Sequence, residues 1–180
     1  MTRTVHVWDL PVRLFHWSLV GLFAANALFT EAESDLHAKI GYAIAGLILF
    51  RLVWGVIGTR HARFADFPPS PAAALDQLRE MATRRRHVHL GHGPLGALMI
   101  YNLLLTLTGI VVTGYMMTTL TYFGVEWVEE AHEVLVTWAE ISALVHIAAV
   151  VLESVRLRVN LPRAMITGDK VLPDTPAGGQ

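Results

Sequence analysis

The chain has 180 residues, 53% of them hydrophobic and only 16% charged, with a mean hydropathy of +0.45. That is too apolar for an ordinary water-soluble domain and suits a small integral membrane protein. The absence of cysteine excludes disulfides, thiolate-held metals, iron–sulfur clusters and covalent c-type haem attachment, and a formal net charge of -1 gives no reason to expect a nucleic-acid partner.

Four apolar segments follow in chain order. The first runs over 11–29, with Asp9 and Pro11 placed to start a helix; the second over 36–57; the third over 94–117, again opened by proline; the fourth over 132–155. Each is near the roughly 20 residues that a membrane-crossing helix needs. The expected fold is therefore an all-α integral membrane protein, a four-transmembrane-helix bundle spanning residues 1–171, with a disordered tail over 172–180. Met1 to Leu10 has no apolar stretch of its own, so no cleavable signal peptide is expected. In the long connection, 58–93, Ser70-Pro71 and the following AAALDQLREMATRRR predict a short helix. It would rest on a leaflet with Arg84, Arg85 and Arg86 near anionic headgroups, or serve as a solvated basic connector.

The connections alternate in charge. Arg3, Arg13, Arg51, the arginines of the long connection, and the tail from Arg156 to Lys170 fall on one side; Lys39 is the sole basic residue on the other. Glu31, Glu33, Asp35, Glu126, Glu129, Glu130 and Glu133 fill that second side. The positive-inside rule places both termini and the long connection in the cytoplasm, and the bacterial inner membrane is the expected location.

His132 and His146 lie 14 residues apart in the fourth segment. At about 100° per residue they return to nearly one helix face, separated by a rise of about 21 Å. His16 falls at the depth of His146, and His37 at the depth of His132. Six-coordinate haem iron takes one axial ligand from each face. The spacing thus predicts two b-type haems, held without covalent attachment: an inner one whose iron binds His16 and His146, an outer one on His37 and His132. A lone histidine in a span is as often a hydrogen-bonding group as a ligand; four at matched depths favour ligation.

Arg13 and Arg51 come to the inner depth on faces that carry ligand histidines, as haem-propionate partners or as side chains snorkelling to lipid phosphate. Lys39 is the only basic candidate at the outer haem. Gly21, Gly41, Gly46 and Gly109 would give a porphyrin room or let helices approach closely, the commoner use. Trp17, Trp54, Trp127 and Trp138 read as interface or core aromatics. Glu140, mid-segment, is expected to face the bundle interior, sharing a hydrogen bond with Asn26, Asn102 or Thr106. His6, His61, His87 and His89 read as solvated. His92, before the third segment, reads as an ordinary loop residue more readily than as a contact to a propionate or quinone.

Val7-Trp8-Asp9-Leu10-Pro11-Val12-Arg13-Leu14-Phe15-His16-Trp17 resembles the opening of bacterial di-haem b-type cytochromes, the cytochrome b561 and nickel–iron hydrogenase b-subunit family. His37 with Gly41-Tyr42, Phe50-Arg51-Leu52-Val53-Trp54-Gly55, Gly58 to Phe64, Gly91-His92-Gly93-Pro94-Leu95-Gly96 and Asn160 to Gly168 extend the likeness over about residues 5–170. The resemblance implies a four-helix bundle with two b haems, ligated at His16, His37, His132 and His146, and electron transfer between quinone and a partner. The chain departs from the family pattern at Gly93, where asparagine is common, and at Glu133, where a second histidine often stands.

The expected function is a respiratory electron carrier exchanging electrons with the quinone pool and a redox partner, such as a periplasmic c-type cytochrome drawn to the acidic side or an oxidoreductase catalytic subunit. Its rivals are a superoxide oxidase, which needs a positive outer funnel; a haem-bearing anchor subunit; and a histidine-lined metal-ion transporter, which needs donors clustered at one depth.

Overall fold

A computed structural model describes residues 3–83 and 90–172. Capping starts the helices where local chemistry allows. Asp9 accepts from the Val12 amide at 2.8 Å and opens α1 (Leu10–Phe29); Ser34 accepts from the His37 amide at 3.2 Å and opens α2 (Asp35–Ile57). Ser70 caps α3 (Pro71–Ala82), and Pro94 opens α4 (Pro94–Met117). Asn160 caps α6 (Leu161–Thr167).

The helix that carries His132 and His146, α5 (Glu126–Leu157), has 32 residues and starts earlier than the apolar pattern alone predicts. Glu126 and Glu129 sit in its first turn, where carboxylates favour the positive end of the helix dipole. At 1.5 Å per residue α5 is about 48 Å long, against about 30 Å of hydrocarbon. α1, α2, α4 and α5 are each long and apolar enough to cross a membrane.

The four long helices pack as a row: α1 on α2, α2 on α4, α4 on α5, with α3 against α4. Ile44 and Ile48 of α2 meet Leu107 of α4, and Leu19, Leu22 and Phe23 of α1 close over them. Gly109 serves the α4–α5 contact, since a Cβ there would come within 2.8 Å of Leu135. Gly21, Gly41 and Gly46 have open space where a Cβ would point. Among the described residues, no comparable packing joins α5 to α1 or α2.

A lid unforeseen from the sequence covers the end of the bundle that carries both termini. β1 (Arg3–His6) pairs antiparallel with β2 (Asp169–Leu172), Arg3 opposite Leu172 and His6 opposite Asp169. Leu172 is thus part of a strand rather than the start of a disordered tail; 173–180 lie outside the described residues. So do Arg84, Arg85, Arg86, His87 and His89. Val7, Trp8 and Ala164 form the lid's small core. Gly168, at φ +90°, lets its carbonyl accept from the Val7 and Trp8 amides at 2.8 and 3.1 Å. The lid end is rich in arginine and is called the basic end below; the other is the acidic end.

Candidate cofactor site

The unpacked seam between α5 and the α1–α2 pair is bridged by imidazoles. The His16 and His146 rings lie with centroids 6.5 Å apart and planes at 59°. The His37 and His132 rings are 6.4 Å apart at 62°. Two imidazoles sharing one metal through bonds of about 2.0–2.1 Å would have centroids roughly 6–6.5 Å apart. They are too far apart to hydrogen-bond directly, and each pair bridges two elements that, among the described residues, do not pack closely on one another. The four histidines singled out from spacing are therefore brought together in the expected pairs.

At the acidic end, His37 Nδ1 is 3.2 Å from Thr30 Oγ1 and His132 Nδ1 is 2.9 Å from Thr113 Oγ1. Gly114 leaves room for the His132 ring, whose Cε1 would stand 3.1 Å from a Cβ at that position. Neither threonine was marked from the sequence. A hydroxyl at the depth of a ligand, Thr30 seven residues before His37 or Thr113 on the neighbouring helix, was the available signal, and it is common in any apolar segment.

The basic end differs. Arg51 is only 3% exposed, so it does not snorkel to lipid. Its guanidinium lies 4.6 Å from the centre of the Phe64 ring, which lies against α2 where Gly55 has no side chain. Arg13 Nη1 donates to the Ile166 carbonyl at 2.6 Å. Asp9 Oδ2 accepts from Trp54 Nε1 at 2.9 Å and Thr59 Oγ1 at 2.7 Å. Burial pushes the Asp9 carboxyl up, but the hydrogen bonds from Thr59, Val12 and Trp54 and the nearby Arg51 outweigh it and hold it below the usual carboxylate range.

His92 is not an ordinary loop residue. Its ring is clamped between Trp8 and Phe67, with centroids 4.5 Å from each. Burial, then the charges of Arg51, Lys170, His61 and His146, pushes its pKa down to about 3. Lys170, 4% exposed, donates to the Leu90 carbonyl at 2.9 Å and so pins the turn that carries His92. Burial lowers this ammonium to about 8.

Four buried side-chain nitrogens have no hydrogen-bond partner among the described residues: Arg13 Nε, His16 Nδ1, Arg51 Nη1 and His92 Nδ1. All belong to the basic end. Buried donors without partners are rare enough that a cluster demands an explanation, and an anionic group bound among them supplies one. The donor set, two imidazole pairs plus unpaired cationic donors at one level, fits a haem with propionates and has no sulfur to suit a cluster.

The family described as prokaryotic cytochrome b561 matches residues 7–168. The chain belongs to that family. It is 23% identical to a probable Ni/Fe-hydrogenase B-type cytochrome subunit of Rhizobium leguminosarum bv. viciae, over 96% of this chain and 91% of the relative. It is 25% identical to a protein of the same name in Bradyrhizobium diazoefficiens, over 95% and 87%. No solved structure matches. This cytochrome b561-family protein is a multi-pass membrane protein of electron transport and carries haem b.

Other sequence expectations change. Glu140 of this cytochrome is exposed rather than buried among the helices. Its expected partners are engaged elsewhere. The Asn102 amide donates to Ser142 Oγ at 2.9 Å, and its Oδ1 accepts from Trp138 Nε1 at 3.0 Å; the Asn26 carbonyl takes the Thr30 hydroxyl. Lys39 is exposed. Trp17 and Trp54 donate to the Met165 carbonyl and to Asp9, which makes them struts of the lid. His6 pairs with Asp169 at 2.8 Å on the exposed ribbon.

Proposed function

We propose that this protein is a di-haem cytochrome that carries single electrons across the bacterial inner membrane between the quinone pool and a redox partner. Residues 1–171 form one transmembrane unit, with both termini, the lid and the long connection in the cytoplasm. His16 and His146 hold the inner haem iron; His37 and His132 hold the outer. The observation that carries this reading is the double imidazole pairing across a seam that the helices leave open. When bound, each haem supplies a one-electron ferric–ferrous couple.

The protein's residues do the rest. The imidazoles fix the two planes at different depths. Arg13 and Arg51 receive propionates of the inner haem, and His92 Nδ1 joins them, which would satisfy the donors now closed off without partners. The lid and the apolar helix faces keep bulk water from the inner site, where a buried guanidinium left uncompensated costs roughly several kcal/mol.

The names of the rhizobial relatives support association with an oxidoreductase catalytic subunit. The acidic outer surface, Glu31, Glu33, Asp35 and the glutamates of α5, instead suits a basic partner such as a c-type cytochrome. Electron exchange that slows steeply with added salt would support the latter. The same acidity disfavours superoxide, an anion, as substrate. A reduced-minus-oxidised spectrum with haem quantified per chain tests the whole reading. Two low-spin b haems per chain are expected, and one or none overturns it.

A further inference from the structure

The acidic-end histidines share a hydrogen-bond pattern that determines which ring nitrogen faces the seam. Thr30 Oγ1 lies 2.6 Å from the Asn26 carbonyl oxygen and 3.2 Å from His37 Nδ1. Thr113 Oγ1 lies 2.8 Å from the Gly109 carbonyl oxygen and 2.9 Å from His132 Nδ1. Two oxygens that close must share a proton, and a carbonyl has none to give. Each hydroxyl has a single proton, and its remaining neighbours, the backbone and side-chain oxygens of Asn26 for Thr30 and the Gly109 and Ile110 carbonyls for Thr113, can only accept, so the proton goes to one of them. Towards the imidazole each hydroxyl can therefore only accept.

It follows that Nδ1 of both rings carries the proton, and Nε2 carries the lone pair. Two threonines on separate elements, the C-cap of α1 and the last turns of α4, reach this state independently. Gly114 lets the His132 ring lie close against α4, which limits its swing. Among the described residues the basic end has no matching device at His16, whose buried Nδ1 has no hydrogen-bond partner there.

We infer that Thr30 and Thr113 are positioning residues for the outer haem: each accepts the Nδ1 proton of its ligand imidazole, presents Nε2 to the iron and fixes the ring's rotation. This rests on the two-haem reading above. A histidine whose second nitrogen donates a hydrogen bond is a stronger electron donor to its metal, which favours the ferric form and lowers the potential of the outer couple. Both threonines act through the histidines.

Redox titration of the intact protein in detergent tests this, with the outer wave identified as the one that His132→Ala removes. Thr113→Val keeps the side chain's shape and deletes the acceptor; Thr113→Ser restores it. The valine variant should shift the outer equilibrium about tenfold toward the reduced form, which is 59 mV for one electron, and leave the inner wave in place. If valine instead releases the outer haem, serine should return it. Thr30→Val and Thr30→Ser should behave alike, with a smaller shift because that bond is longer. An unmoved outer wave at full haem content, a shift confined to the inner wave, or a defect that serine does not repair would each overturn the assignment. Failure of the two-haem reading is separately visible, as fewer than two haems per chain in the unsubstituted protein.

Discussion

The two ends of this bundle hold the same kind of imidazole pair in different polar surroundings. At the acidic end the rings are hydrogen-bonded by Thr30 and Thr113. At the basic end four buried nitrogens lack a hydrogen-bond partner among the described residues: Arg13 Nε, Arg51 Nη1, His16 Nδ1 and His92 Nδ1. The outer site is organised by hydroxyls acting on the imidazoles; the inner one is lined by guanidinium groups suited to an anion. On the proposed two-haem reading, cations beside the inner iron would favour its reduced form, whereas hydrogen bonds accepted from the outer ligands would favour the oxidised one. The inner haem should therefore have the higher potential, and a titration in which the waves are reversed would break the comparison.

The largest effect is expected from the ligands. His146→Ala should halve the haem content by emptying the inner site while the outer wave persists; haem quantified per chain decides it, and loss of both haems would contradict independent tiers. Arg51→Met comes next. It removes a buried charge whose Nη1 has no hydrogen-bond partner among the described residues, and should lower the inner potential by about tenfold in the redox equilibrium, 59 mV, with the outer wave unchanged. His92→Leu keeps the apolar clamp of Trp8 and Phe67 but loses the donor, so a smaller shift in the same direction is expected, read in the same titration.

The smallest effect concerns the lid. Burial lowers Lys170 from 10.5 to about 8, so between those values the unfolded chain binds more protons than the folded one. Stability then rises with pH across about 8 to 10.5. Thermal unfolding followed across that window should show the rise, and Lys170→Met should flatten it.

The four spanning helices were legible from composition and length, since hydropathy over about 20 residues is a local property. The tiers were legible for a related reason: 14 residues of helix carry a fixed rise and rotation, and alternating loop charge sets which end is which. The early start of α5 is a modest miss, from reading glutamates as loop when they favour a helix N-terminus. Glu140 is a larger one. Its depth followed from position, but its direction depends on which flank of α5 the neighbouring helices cover.

The order of apolar segments, their capping residues and the spacing of His16, His37, His132 and His146 are all written along the chain, because each depends on contacts within a few turns. The lid is not, because β1 and β2 come from opposite ends of the chain and neither four-residue strand carries a pattern of its own. His92 gains its role only when Trp8 and Phe67 close on it and Lys170 reaches the turn before it. The direction of the protons on His37 and His132 likewise came only with folding, since a hydroxyl's single proton is assigned by which carbonyl and which ring nitrogen the fold brings within reach.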